Sequence, residues 1–194
     1  MERHRVGACV SPPTHFFKEA TISPFKKYES GVLAQYDKLF KKARERVDFL
    51  ITQVGFDVRK FDELLRFMRR HGIQVPILGN VHILNRAVAS VMNRGEVPGC
   101  VVTDELYHIY QEESEAPDKG KKAQLTRAAK LIGVLKGIGY DGVHIGGPSL
   151  RYEDVAWVIE KSKEFSSNWE EWAREFSSLR EGAFIFLRRI RGGA

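Results

Sequence analysis

The feature that most constrains the fold of this chain is an alternation of short apolar segments with amphipathic helical segments. Three of the apolar segments are followed directly by a stretch with apolar residues at helical spacing. Continuous apolar strands that alternate with helices are typical of a parallel sheet covered by helices. The four segments of strand length are RVGACV (5–10), DFLITQVGF (48–56), VPILGNVHI (75–83) and DGVHIGG (141–147).

Helical spacing and end signals locate the helices that connect these strands. Asn85 is predicted to cap one helix and Gly95 to end it. The stretch 11–30, rich in Pro, Thr and Ser, is interpreted as a loop, and Phe49-Leu50-Ile51 as a strand buried on both faces. The other predicted helices cover about 32–46, 58–71, 98–113, 120–136 and 151–165.

The number of strand–helix units indicates how the sheet closes. Eight units form a TIM-type barrel, whereas this chain offers four. We therefore predict an α/β fold of parallel (βα) units, half of a TIM-type barrel, over residues 1–165. An aromatic helix (NWEEWAREFSSL) and a short apolar strand (GAFIFLRR) are predicted to form an appendage over 166–194. An open Rossmann-type sheet is the alternative, but GYDGVHIGGPS does not match the GxGxxG fingerprint.

Composition and charge exclude several classes of protein. The net charge of +6 suits an anionic ligand, but the basic residues are scattered and no nucleic-acid motif interleaves them with aromatic residues. No apolar window approaches the length of a membrane span and no signal peptide is recognised, so we expect a cytoplasmic protein. Cys9 and Cys100 lack close-spaced Cys or His partners, so we expect no metal site and interpret both as buried small apolar residues.

Polar residues late in two predicted strands are candidate site residues, because the carboxyl ends of barrel strands form the active-site mouth. Thr52 and Gln53 end the second strand, and Asn80 and His82 lie late in the third. A buried amide such as that of Gln53 needs hydrogen-bond partners. Either a bound heterocycle or the neighbouring backbone would supply them.

The fourth strand ends in a glycine turn. His144 precedes Gly146 and Gly147, whose backbone N–H groups either hold an anion in front of a helix or form a simple turn. Asp57 and the run Thr103-Asp104-Glu105 each begin a helix, and helix capping is their predicted role.

The stretch DFLITQVGFDVRKFDELLRFMRRHGIQVPIL resembles the methylenetetrahydrofolate reductase family. The shared features are a strand ending Thr-Gln, an aromatic-Asp pair after it, a Phe-x-x-Leu helix and then Gly-Ile-x-Val-Pro-Ile. Downstream, RGEVPGCVVTDEL and GVHIGG look like the branch of larger reductase-like bacterial proteins. The resemblance runs over roughly residues 5–165 and matches the second half of the family's (βα)8 barrel.

The resemblance implies a flavin-dependent oxidoreductase of one-carbon (folate and methionine) metabolism. NADH or NADPH would reduce FAD, which would pass hydride to methylene-tetrahydrofolate. The resemblance places Gln53 beside flavin and folate, as the catalytic candidate, and Lys42 at the FAD phosphate. Gln35 departs from the family, which has an acidic flavin contact there, and the family's catalytic acids lie in the half of the barrel that this chain does not match.

These inferences combine into one expected function and two alternatives. We expect a reductase-like enzyme that binds a folate-type small molecule, with Asn80 and His82 in the cofactor pocket and no nucleic acid or membrane as partner. One alternative is a non-catalytic subunit whose barrel is completed by a second chain or a second copy, since four strands leave two open edges. The other is a flavin-free barrel enzyme that binds a phosphorylated substrate at Gly146 and Gly147.

Overall fold

Strands and helices alternate along the part of the chain that the computed structural model describes, residues 6–7, 17–26 and 28–177. Cys9, most of the predicted strand 5–10 and the predicted strand GAFIFLRR lie outside these residues. The strands are β1 (Val6–Gly7), β2 (Phe17–Ile22), β3 (Phe49–Thr52), β4 (Ile77–His82) and β5 (Gly142–Gly146). The helices are α1 (Glu29–Arg44), α2 (Val58–Arg70), α3 (Arg86–Asn93), α4 (Asp104–Glu113), α5 (Lys121–Ile138), α6 (Tyr152–Phe165) and α7 (Trp169–Ala173), followed by a 3-10 turn, Arg174–Phe176.

The strands form one sheet in the order β1-β2-β3-β4-β5. Strands β2 to β5 are parallel, and β1 pairs antiparallel with β2. This confirms the predicted α/β fold of parallel (βα) units, and the four parallel strands are compatible with the predicted half of a TIM-type barrel. The identity of the first parallel strand was predicted wrongly: it is β2, inside the predicted loop 11–30, rather than the segment 5–10.

Side chains of the parallel strands alternate between two faces of the sheet. Helices pack on the first, which we call the covered face, and its side chains are buried or nearly so. The covered face contains Ala20, Ile22, Leu50, Thr52, Ile77, Gly79 and Val81. The second, which we call the open face, holds half-buried or exposed residues: Glu19, Thr21, Phe49, Ile51, Leu78, Asn80, His82, His144 and Gly146.

The prediction that β3 is buried on both faces is therefore wrong. Leu50 is 0% exposed, whereas Phe49 and Ile51 on either side of it are only half-buried. The described helices lie against the covered face, so the alternate residues of β3 are left without a comparable layer.

Two aspartates fix how neighbouring strands meet at the amino end of the sheet. Asp48, just before β3, accepts a hydrogen bond from the Lys18 N–H at 2.6 Å. Asp141, just before β5, accepts one from the Ile77 N–H at 2.8 Å. Each carboxylate thus accepts a hydrogen bond from a backbone N–H group of the adjacent strand, so this donor is not left without a partner.

The main core lies between the covered face and helices α1, α2, α5 and α6. Tyr36 of α1 stacks on Phe67 of α2, with ring centroids 4.0 Å apart, and its hydroxyl donates to Glu63 at 2.6 Å. Burial and the nearby Glu63 carboxylate raise the pKa of Tyr36 well above its usual range, so this phenol remains a donor. Helix α5 approaches the sheet closely, because a Cβ on Gly79 would lie 2.7 Å from Leu135.

A second, smaller apolar cluster lies at the carboxyl end of the sheet. It joins the residues just after β3 and β4 to α3, α4 and the loop between these helices, through Val54, Leu84, Ala89, Met92, Cys100, Val102 and Tyr110. Cys100 is buried, as predicted. The predicted helix 98–113 begins only at Asp104, because Gly99 adopts a left-handed φ of 81° and Thr103 caps the helix.

Helix α7 packs on α5. The indole of Trp169 lies over Gly137, where an added Cβ would be 2.1 Å from the ring, and Lys130 lies 4.1 Å from the centroid of Trp172. Lys130 also pairs with Glu175 at 2.7 Å. Within the described residues, none of the helices has the length and apolar character needed to cross a membrane.

Candidate functional site

Thr52 has a structural role at the end of β3. Its side chain is 0% exposed, and its hydroxyl accepts a hydrogen bond from the Asn80 N–H at 2.9 Å. The regular pairing of β3 with β4 ends at Ile51 and Leu78, so this hydroxyl takes the place of a strand carbonyl as acceptor for the next donor of β4. The threonine therefore lets the two strands separate without leaving that N–H unpaired.

Gln53 follows at the mouth of the half-barrel and is half-buried. Its N–H donates to Ile22 at 2.8 Å, and its side-chain oxygen accepts from the Val54 N–H at 3.1 Å. The neighbouring backbone therefore occupies the amide oxygen, and the Nε2 donor is the group that Gln53 presents. That nitrogen lies 3.8 Å from the position of a Cβ built on Gly99.

Lys26 joins Gln53 at this position and was not among the predicted site residues. Its Nζ lies 3.6 Å from the same point above Gly99. The packing of Phe25 explains the approach: a Cβ on Gly55 would lie 2.4 Å from the Phe25 ring, and this ring meets Phe61 edge-on at 4.8 Å. The segments that follow β2 and β3 are thus held together, which brings Lys26 beside Gln53.

Asn80, His82 and His144 lie together on the open face. Asn80 is in register with His144, and the Asn80 Oδ1 atom is buried without a hydrogen-bond partner among the described residues. The rings of His82 and His144 both come within 4 Å of the position of a Cβ on Gly146, so a glycine there keeps the space between them free. Burial, and then the charge of His144, lower the pKa of His82 below its usual value.

The Gly146–Gly147 turn has a packing role. A Cβ on Gly147 would lie 2.5 Å from the Ile83 carbonyl oxygen, and the Ile83 N–H donates to Gly146 at 2.8 Å. At the start of α6, the Asp154 carboxylate already accepts from the Arg151 N–H at 3.1 Å and pairs with Lys121 at 2.8 Å. The Gly146–Gly147 anion site stays a prediction, and it would compete with this carboxylate at the helix terminus.

Lys42 lies in the last turn of α1, beside β2. Its ammonium donates to the Thr21 carbonyl at 2.5 Å. Gln35, on the same helix, accepts from the Ser23 N–H at 3.2 Å through its amide oxygen. Both residues that the resemblance associates with FAD thus bond to the backbone of β2 and the residue after it, and a role for Lys42 at a flavin phosphate stays a prediction.

Helix capping accounts for the acidic and polar residues predicted as caps. Asp57 accepts from the Arg59 N–H at 3.1 Å, Asn85 from the Val88 N–H at 2.9 Å, and Thr103 from the Leu106 N–H at 3.2 Å. Their side chains therefore complete helix ends. Among the described residues, no group of three or more His, Cys, Asp or Glu side chains is arranged to hold a metal ion.

The structure thus places the candidate site residues in two groups at one end of the sheet, and only Lys26 among them was not predicted from the sequence. The first is Gln53 with Lys26, and the second is Asn80 with His82 and His144. The first group offers two hydrogen-bond donors, and the second offers an amide oxygen and two imidazoles. Together they can recognise a flat, polar heterocycle that carries an anionic group.

Comparisons with known proteins give a likeness of fold. No protein-family model matches the chain, and no curated protein matches it. Among solved structures, an uncharacterized protein from Clostridium thermocellum, which binds two copies of 5-methyl-5,6,7,8-tetrahydrofolic acid, is similar with a TM-score of 0.50 at 13% identity. The match covers 77% of this chain and 53% of that one, so this chain spans about half the length of the solved protein.

Proposed function

We propose that this protein binds a reduced folate at the carboxyl end of its sheet. The observation that carries the proposal is the Asn80 Oδ1 atom, which is buried and has no hydrogen-bond partner among the described residues. It lies beside His82 and His144 on a face that none of the described helices covers. A buried carbonyl oxygen without a partner is costly unless a ligand donates to it. The N–H and amino groups of a pterin are such donors, and the folate-binding protein of similar fold supports this ligand class.

The finer proposal is a flavin-dependent reduction of methylene-tetrahydrofolate, with FAD and NADH or NADPH as cofactors and Gln53 beside the reacting rings. The sequence resemblance supports it, and so does the position of Gln53 at the mouth. The bonds of Lys42 and Gln35 to the backbone of β2 and the residue after it do not bear on a flavin phosphate, so the FAD contact is supported by the resemblance alone. Folate binding is therefore the function that the geometry supports best.

Isothermal titration of the purified protein with 5-methyl-tetrahydrofolate tests the proposal. We expect saturable one-to-one binding that weakens roughly 3- to 10-fold in Gln53→Ala, the loss expected for one neutral hydrogen bond. Gln74→Ala, at an exposed glutamine of a loop, is the matched control. If the wild-type protein binds no reduced folate, the proposal is wrong.

A visible absorption spectrum separates the finer proposal from plain folate binding. A flavin enzyme should show the bands of oxidised flavin, as purified or after addition of FAD. A colourless protein that binds 5-methyl-tetrahydrofolate but takes up no FAD would eliminate the reductase and retain folate binding.

A second candidate function is that of a subunit whose barrel is completed by another chain or a second copy. The open face favours it, because Phe49, Ile51 and Leu78 are half-buried apolar residues at positions that a closed barrel would cover. Light scattering coupled to gel filtration measures this directly. A monomer at all concentrations would exclude completion by a second copy.

A further inference from the structure

Lys26 is positioned by its neighbours rather than by an ion pair. Its stem lies against the start of α1, where a Cβ on Gly31 would be 3.1 Å from the Lys26 Cβ. No carboxylate among residues 17–26 and 28–177 is paired with its ammonium. A half-buried lysine held by packing, with its charge uncompensated, is available to an anionic partner.

A second donor points to the same place. The Lys26 Nζ and the Gln53 Nε2 lie 3.6 Å and 3.8 Å from one point above Gly99. The Val54 N–H occupies the amide oxygen of Gln53, so the side chain offers a donor there and not an acceptor. Because Gly99 has no side chain and a left-handed φ of 81°, the point between the two donors stays open.

The thiol of Cys100, the residue after Gly99, does not supply a countercharge. Burial raises the pKa of Cys100, and the Lys26 ammonium offsets only part of that effect. Cys100 therefore stays a neutral thiol. The position above Gly99 is left with two donors, one of them positively charged.

We infer that Lys26 and Gln53 hold a carboxylate of the ligand above Gly99. The inference rests on the proposed folate binding and names the part of the ligand that Lys26 and Gln53 recognise. It places Gln53 at the glutamate end of the ligand, and it therefore replaces the position beside the reacting rings that the finer reductase proposal gives to Gln53. A carboxylate accepts both bonds and neutralises the ammonium, whereas the pterin ring is uncharged. The rings are then left to Asn80, His82 and His144 on the open face.

The test compares two ligands and three variants by isothermal titration. The ligands are 5-methyl-tetrahydrofolate and 5-methyl-tetrahydropteroate, which lacks the glutamate. Lys26→Met should weaken binding of the first by about 10- to 100-fold, the loss of a hydrogen bond to a charged group, and leave binding of the second nearly unchanged. Lys26→Arg keeps the charge and should retain most of the affinity, and Lys41→Met, at an exposed lysine of α1, is the matched control. Thermal unfolding of each variant reports whether it is folded.

The outcomes separate this inference from the function on which it rests. Wild-type binding of folate that Lys26→Met does not change overturns the inference and keeps folate binding. An equal loss for both ligands assigns Lys26 to the heterocycle and overturns the inference as well. If neither folate ligand binds, the proposed function and the inference fail together.

Discussion

The two faces of the sheet are built from alternate residues of the same strands, but the types of side chain on each face answer to different physical requirements. On the covered face, Leu50 and Ile77 are packed under helices and are at most 1% exposed. On the open face, Asn80 and His82 are polar and half-buried, and His144 is exposed. Close packing under the helices restricts which side chains fit on the covered face. The side chains of the open face are less restricted by packing, so they can be suited to binding a ligand.

The largest expected effect comes from truncating neighbouring residues on opposite faces. Leu50→Ala should lower the free energy of unfolding by about 2–5 kcal/mol, because the side chain is fully buried and leaves a cavity. Ile51→Ala, at the next residue, should cost less than about half as much, because its side chain is only half-buried. Urea unfolding followed by circular dichroism measures both, and equal losses would mean that the open face is packed as tightly as the covered one.

A smaller effect on stability is expected at Thr52, a residue of the covered face where β3 and β4 separate. Thr52→Val keeps the shape but removes the acceptor for the Asn80 N–H, so it should cost about 1–3 kcal/mol of stability. Thr52→Ser keeps the hydroxyl and loses a methyl group, at about 1 kcal/mol. If valine is tolerated better than serine in the same unfolding experiment, the hydrogen bond does not stabilise the end of β3.

The smallest effect concerns the pH dependence of stability. His82 has a lowered pKa in the folded protein, so between that pKa and the unfolded value near ~6.5 the unfolded chain binds more protons. Stability should therefore fall as the pH drops through the unfolded pKa, and the loss should be complete below the folded pKa. His82→Gln should flatten this dependence.

Two control variants separate the causes of that shift. His144→Gln should keep most of the dependence, because burial is the larger cause and the charge of His144 the smaller one. His108→Gln, at an exposed histidine of α4, is the control for a general histidine effect. Unfolding in urea at a series of pH values is the measurement, and a slope that does not change in His82→Gln would contradict the assignment.

The comparison of faces also explains which strands were predicted from the sequence. β3, β4 and β5 were found because their apolar runs are nearly continuous. β2 was missed because its sequence, FKEATI, places Lys18, Glu19 and Thr21 among its apolar residues, as expected for the outermost parallel strand of a sheet with one covered face. Only Ala20 and Ile22 keep the period-two spacing of a half-buried strand, and this pattern is too short to identify β2 from the sequence.

The candidate site was predicted only in part, for a related reason. Gln53 and His82 were recognised because they end strands that had been recognised. Lys26 was missed with the strand that it follows, although a lysine four residues after a strand end is a signal that could have been used. The approach of Gly99 to Lys26 depends on packing between distant segments, which no local pattern reports.

The two edges of the sheet have different consequences for assembly. The outer edge of β2 is already in use, since β1 pairs with Phe17 and Lys18, and Lys42 donates to the Thr21 carbonyl. In the described part of the chain, no strand lies beyond β5. Joining β5 to the β5 of a second copy would be two-fold symmetric and would use the β5 edge of both molecules. Association through β5 would therefore stop at two copies, because neither copy would keep a free β5 edge for a third.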